Sequence, residues 1–252
     1  MHRWFFLLLG VTPRLLTAQA DTVRVGPDTR TLDGLRYRDH FLSTWVKRTH
    51  GDTILSDVHY AIDVRHETQG GRAVVHVTVG PLPDQPDPRV RITTLLDPRT
   101  TLPLHYEIHT ASGDLLDAEF QGTHVTGTRR LAADSAAAQF DITLPEPAFL
   151  GAYEDAALDA MPLQVGMVLR VPVVSLSFTG GATVQPYFYR VLRRDTVQVN
   201  GRGLPAWVVE SRDTVNTNTI WLIDEPPYTY RWLRVSVRGR VTDLTQVVRP
   251  TP

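Results

Sequence analysis

Residues 102–110 read LPLHYEIHT, and His105, Glu107 and His109 are of types that hold metal ions. Two imidazoles and a carboxylate make a donor set for zinc or non-haem iron. If the stretch is a β-strand, these side chains stand on one face about 6.6 to 6.8 Å apart, with Leu104, Tyr106 and Ile108 on the other. Metal centres also take ligands and supporting groups fixed by other elements. This trio instead abuts a turn, TASGD at residues 110–114, in which Thr110 and Asp114 are equally polar. An antiparallel strand with one wet face carries polar residues there in any case. The expectation is a solvated face with no metal and no cofactor.

Other chemistry is sparse. His40, His50, His59, His66, His76 and His124 are scattered singly, and no nucleophile elbow, phosphate loop, HExxH helix or dinucleotide turn occurs. Acidic residues are plentiful, but no spacing selects a glycosidase-like pair. The chain has no cysteine, which removes disulfides, thiolate chemistry, cysteine-ligated zinc and a cysteine-borne lipid anchor. These observations point away from an enzyme.

The elements that would position any site are strands. AIDVRH alternates Ile62 and Val64 with Asp63 and Arg65. After ETQGG, the run RAVVHVTVG sets Val75, Val77 and Val79 against His76 and Thr78, so the two runs predict a hairpin. PLPDQPDPR, residues 81–89, holds four prolines and breaks the sheet, which makes it the seam if there are two lobes. In the second half, Val197 and Val199 precede Asn200–Gly201, a pair suited to a tight turn, and Trp207 and Val209 follow it. Gly180–Gly181 reads as another turn. Helical spacing is clear only in AFLGAYEDAALDAMP, residues 148–162, while DHFLSTWVKRTH, residues 39–50, suits helix or strand.

Residues 1–20 read as an export signal. His2 and Arg3 precede the apolar run WFFLLLGV, and Ala18-Gln19-Ala20 forms a small-x-small cleavage triplet. The apolar run is too short to span a bilayer. Cleavage would leave Asp21–Pro252 as a single β domain that is periplasmic or extracellular. Losing Arg3 and Arg14 lowers the 26 basic residues to 24 against 27 acids, a formal charge of −3. That balance argues against a nucleic-acid partner.

The order of features carries a resemblance. Residues 97–250 run DPRTTLPLHYEIHT, MPLQVGMVLRVPV, VQVNGRGLPAWVVES and IWLIDEPPYTYRWL. This pattern resembles a family of uncharacterised bacterial envelope proteins, a domain of unknown function similar in architecture to the lipoprotein carriers LolA and LolB. Pro162, Leu163 and Gly166 match its central PL..G element, and Trp221 with Asp224 matches its late strand. The resemblance implies a curved antiparallel sheet, an open half-barrel around one or two short helices, and transfers no catalytic residue.

Phe188, Trp207, Trp221, Tyr228, Tyr230 and Trp232 cluster in the second half. In a half-barrel, Phe188, Trp207, Trp221, Tyr230 and Trp232 with Leu158 and Met161 are candidates to line an apolar cavity for a lipid or lipoprotein segment. Ordinary core packing is the competing account of each ring. The reading is therefore an exported, non-enzymatic envelope protein that binds an apolar ligand or an envelope partner. The alternative is a structural or assembly protein with no small-molecule ligand. An outer-membrane barrel fits poorly, because charges punctuate both faces and the chain ends VRPTP.

Overall fold

The computed structural model describes residues 22–25, 41–49, 58–80, 90–133, 136–151, 158, 161–179, 181–199, 202–212, 217–224, 230–237 and 240–250. Of these, 41–49, 58–62, 198–199, 217, 230–237 and 240–250 are described by their backbone alone. The export signal, the 81–89 seam and most of the expected 148–162 helix lie outside the described residues.

The described chain is mainly β. It opens with β1 (Thr22–Arg24), β2 (Phe41–Thr49), β3 (Val58–Gln69), β4 (Arg72–Gly80) and β5 (Val90–Leu96). Then come β6 (Pro103–Thr110), β7 (Leu115–Gln121), β8 (His124–Arg130), β9 (Ala138–Thr143) and the two-residue β10 (Phe149–Leu150). The second half holds β11 (Val168–Leu176), β12 (Ala182–Val199), β13 (Arg202–Arg212), β14 (Thr217–Ile223), β15 (Tyr230–Val237) and β16 (Arg240–Pro250).

The expected β3–β4 hairpin forms with Gln69 opposite Arg72. Gly70 and Gly71 carry φ of +56° and +81°, the two positive angles of a tight turn that matches strand twist. Val75 and Val77 are buried and Val79 packs beside them, while His76 and Thr78 face away. The β12–β13 hairpin also pairs as expected, Val199 opposite Arg202. Within the ambiguous 39–50 stretch, Phe41–Thr49 is strand: β2 pairs with β16 on one side and β3 on the other, so its backbone groups are met from both edges.

Two antiparallel meanders, β2–β9 and β11–β16, join where β16 pairs β2, giving the order β1-β11-β12-β13-β14-β15-β16-β2-β3-β4-β5-β6-β7-β8-β9. The expectation of antiparallel pairing fails at one edge. There β1 and β10 both run parallel to β11, meeting it at Val168–Arg170 and Val173–Val174 respectively. Phe149–Leu150, expected to be helical, is strand because its two side chains enter different cores. Phe149 joins Val173 in one cluster and Leu150 joins Val174 in the other.

Those clusters show how the sheet curves. One packs Val64, Val75, Val77, Leu116, Ala118 and Phe120 of β3, β4 and β7 against Val174 of β11, with Val184 of β12 alongside. These strands are far apart in the ladder, so the sheet must fold back on itself to bring them into contact. The second cluster lies on the opposite side of β11 and β12, where Leu169, Val171, Val173, Tyr189 and Val191 pack with Trp207, Val209, Ile220 and Leu222 of β13 and β14. Each such buried side chain contributes roughly 1.5–3 kcal/mol.

Candidate functional site

The apolar floor formed by β11–β14 is the place where three of the expected lining residues, Leu158, Met161 and Trp207, meet. On it lie Leu158, Met161 and Leu163, supplied by the segment between β10 and β11. Leu158 is in helical conformation and fully buried, and Met161 is 2% exposed. Within this cover, Met161 N donates to Leu158 O at 3.1 Å and Leu163 N to Met161 O at 2.9 Å. Its attachment to the sheet follows at Gly166, whose φ of +85° disfavours any residue with a Cβ. Gly166 N donates to Val191 O, and Val191 N donates to Met167 O, each at 2.9 Å. The PL..G pattern is thus an apolar cover followed by a glycine anchored to β12.

Trp207 is buried in the floor, and the Arg194 guanidinium stacks over its ring, 3.9 Å from the centroid. Arg194 also pairs with Asp224 at 2.9 Å, and Asp224 N donates to Pro205 O at 2.8 Å. The acidic residue that ends the late strand therefore holds an arginine across the tryptophan at the rim of the floor. That contact is both packing and cation–π attraction.

Two of the other expected lining residues, Trp221 and Phe188, do not share this floor. Trp221 is buried on the other face of β13–β14, among Val197, Leu204, Ala206, Val208 and Ile223. Its indole Nε1 donates to Asp195 Oδ2 at 3.2 Å. The Thr196 amide, the Trp221 indole and Arg193 hold the Asp195 carboxyl below its ordinary range. Phe188 is 43% exposed, on the face of β12 opposite Tyr187 and Tyr189. Tyr230 and Trp232 belong to β15, where Trp232 is the register partner of Trp221, and Tyr228 lies outside the described residues. Sequence reasoning missed Tyr189, which is 1% exposed and on the floor. The signal was strand parity, since Tyr187, Tyr189 and Val191 share a face that excludes Phe188.

His105, Glu107 and His109 stand on the outer face of β6, with Tyr106 and Ile108 packed inward. They do not converge on one point. His105 Nε2 meets Asp117 Oδ1 across the strand pair at 2.8 Å, while His109 Nε2 meets Glu107 Oε1 at 2.5 Å. Among the described residues, no group of three or more histidines and carboxylates is arranged to hold a metal. His76–Glu67 at 2.9 Å and His124–Asp141 at 2.8 Å extend the same polar face. The turn after β6 is organised by Asp114, which accepts bonds from the Ala132 amide, Ser112 and Thr110. Those donors, the Ala132 amide first, hold its carboxyl below the usual carboxylate range. Beside β8 and β9 is an open pocket of about 480 Å³, lined by Thr126, Gly127, Thr128, Gln139, Phe140 and Asp141.

Residues 43–244 match the family described as Protein of unknown function (DUF3108). The chain belongs to this family. Two solved structures were found by comparison of folds. MucB in complex with MucA(peri) covers 88% of this chain and 97% of its own at 10% identity, with a TM-score of 0.18. The Pseudomonas aeruginosa MucA/MucB complex covers the same shares at 11% identity, with a TM-score of 0.17. Scores of that size do not establish a common arrangement. No curated protein matches the chain. Among the described residues, no helix of this DUF3108 protein is long and apolar enough to cross a membrane.

Proposed function

We propose that this DUF3108 protein is an exported, non-enzymatic envelope protein that holds an apolar ligand on the β11–β14 floor, beneath the cover formed by Leu158, Met161 and Leu163. The proposed ligand class is an acyl chain or the apolar segment of a lipoprotein, which an apolar floor and cover of this chemistry would take. The observation that carries the reading is a non-strand segment presenting Leu158, Met161 and Leu163 to a floor of the same apolar chemistry. Swinging it aside at Gly166 would exchange its contacts for those of a ligand. Each methylene sequestered there would contribute about 0.8 kcal/mol.

The deciding experiment is mass spectrometry of apolar molecules extracted from protein purified out of its native envelope. A bound lipid that is lost in a Trp207→Ala variant supports the carrier. N-terminal sequencing of the product tests export, with Asp21 the expected first residue. A second reading, an assembly protein with a filled core, is favoured by the completeness of packing: Leu158 is 0%, Met161 2% and Trp207 8% exposed. An empty extract, with Trp207→Ala merely less stable, selects that reading.

A further inference from the structure

On the face of the same strands opposite the floor, beside the stretch where Val174 and Val184 enter the other core, one row of register partners runs Arg24–Arg170–Phe188–Arg212 across β1, β11, β12 and β13. With neighbouring strands about 4.8 Å apart, the row spans roughly 15 Å. Arg190, two residues from Phe188 on the same face of β12, is exposed and lies between Val168 and Glu210 in register. Among the described residues, two carboxylates belong to this patch. Glu146 binds Arg170 at 2.6 Å and Arg24 at 2.8 Å, and Glu210 binds Arg212 at 3.0 Å. Against four arginines they leave two positive charges.

The exposures separate the signs. Arg24 and Arg212 side chains are 57% and 70% exposed, whereas Glu146 and Glu210 are 18% and 22% exposed. The acids therefore sit beneath the surface and orient guanidinium groups that reach past them. In the middle stands Phe188, 43% exposed, one of the few large apolar side chains so open among the described residues. An aromatic ring ringed by arginines has a poor environment in water and a good one at a bilayer interface, where the ring enters the acyl boundary and guanidinium groups bind phosphates. An acidic protein surface would match the charges but would give the ring no apolar partner by that match alone.

We infer that the exposed patch around Phe188, on the face of β11–β13 opposite the floor, docks on an anionic phospholipid surface, with Phe188 as the inserted ring and Arg24, Arg170, Arg190 and Arg212 as the headgroup contacts. This is independent of whether the opposite face carries a ligand. It gives the protein a fixed orientation on a membrane, with the β11–β14 floor turned away from the headgroups.

The test is co-sedimentation of the full chain with vesicles of equal parts phosphatidylglycerol and phosphatidylcholine, beside vesicles of phosphatidylcholine alone. Binding should favour the anionic vesicles by roughly tenfold or more and weaken as salt is raised. Arg190→Glu and Phe188→Ser each alter an exposed side chain, so both should keep wild-type thermal unfolding. Each should lower vesicle partitioning several-fold, and Arg190→Glu should also flatten the salt dependence. Equal partitioning of the wild type into both vesicle types overturns the inference. So does retention on immobilised polyglutamate without vesicle binding, which identifies an acidic protein as the partner. Vesicle binding that neither substitution reduces also overturns it.

Discussion

Trp207 and Trp221 stand on opposite faces of one antiparallel pair: Trp207 is opposite Leu222, and Trp221 is opposite Val208. Fourteen residues apart in sequence, they are buried in different clusters. One of them at most can touch a ligand on the floor of β11–β14. Replacing either with alanine should destabilise the fold by about 3–5 kcal/mol in denaturant titrations. The emission of Trp207, read with every other tryptophan (Trp4, Trp45, Trp221 and Trp232) replaced by phenylalanine, should shift when a fatty acid is added. The emission of Trp221, read with Trp4, Trp45, Trp207 and Trp232 so replaced, should not. A ligand response confined to Trp221 would place the site on the other face.

Glu146 gives the protein a specific acid sensitivity. Bonding to Arg170 and the charges of Arg170 and Arg24 hold its carboxyl below the ordinary range, outweighing the effect of burial. A lowered folded pKa contributes stability that is complete above the unfolded value and is lost as pH falls through the folded one. Glu146→Gln should therefore cost about 1–2 kcal/mol at neutral pH, the exposed arginines limiting the amount. The gap between wild type and variant should narrow as pH drops below the usual glutamate range. Urea unfolding of both proteins across that range checks the sign. A gap that widens in acid would contradict the pairing.

Gly127 is fixed by close approach rather than by turn geometry. A Cβ there would lie 2.0 Å from the Asp117 carbonyl oxygen and 2.7 Å from Cζ of Phe140. The ring could swing aside, but the neighbouring backbone could not. Gly127→Ala should cost about 1–3 kcal/mol, and Gly127→Val more. In Gly127→Ala/Phe140→Ala the loss should persist, because the clash with the Asp117 backbone remains. Thermal melts of the three variants measure this.

His105 and His109 should hold no stoichiometric metal, since each already meets a different carboxylate, Asp117 and Glu107 respectively. Elemental analysis after purification without chelators, run beside the His105→Ala/His109→Ala variant, is the check. A molar equivalent of zinc or iron in the wild type alone would reverse the assignment.

The β3–β4 turn should tolerate no ordinary side chain at its second position. Gly71 sits at φ +81°, and Gly71→Val should cost about 1–2 kcal/mol although nothing crowds it. Denaturant midpoints would read the loss.

Local pattern alone was enough for much of this protein. The alternation of Val75, Val77 and Val79 with His76 and Thr78 sets the buried face of β4, because a strand has a period of two and one face must leave water. The glycine pair at 70–71 sets the hairpin, and the polarity of His105, Glu107 and His109 sets the outer face of β6. The DUF3108 pattern was likewise legible in Pro162, Leu163 and Gly166. What only the tertiary structure decided are relations between segments distant in sequence. Phe149–Leu150 looked helical from its own neighbourhood, yet it is strand because two cores meet on either side of β11. Trp207 and Trp221 looked like one aromatic wall. Register sends them to opposite faces, and the bulge between Val191 and Arg193 shifts parity within β12, so no count along the sequence carries across it. Likewise the row Arg24–Arg170–Phe188–Arg212 assembles residues from four strands, two of them parallel, and pairing of that kind is fixed by how the sheet closes over its core.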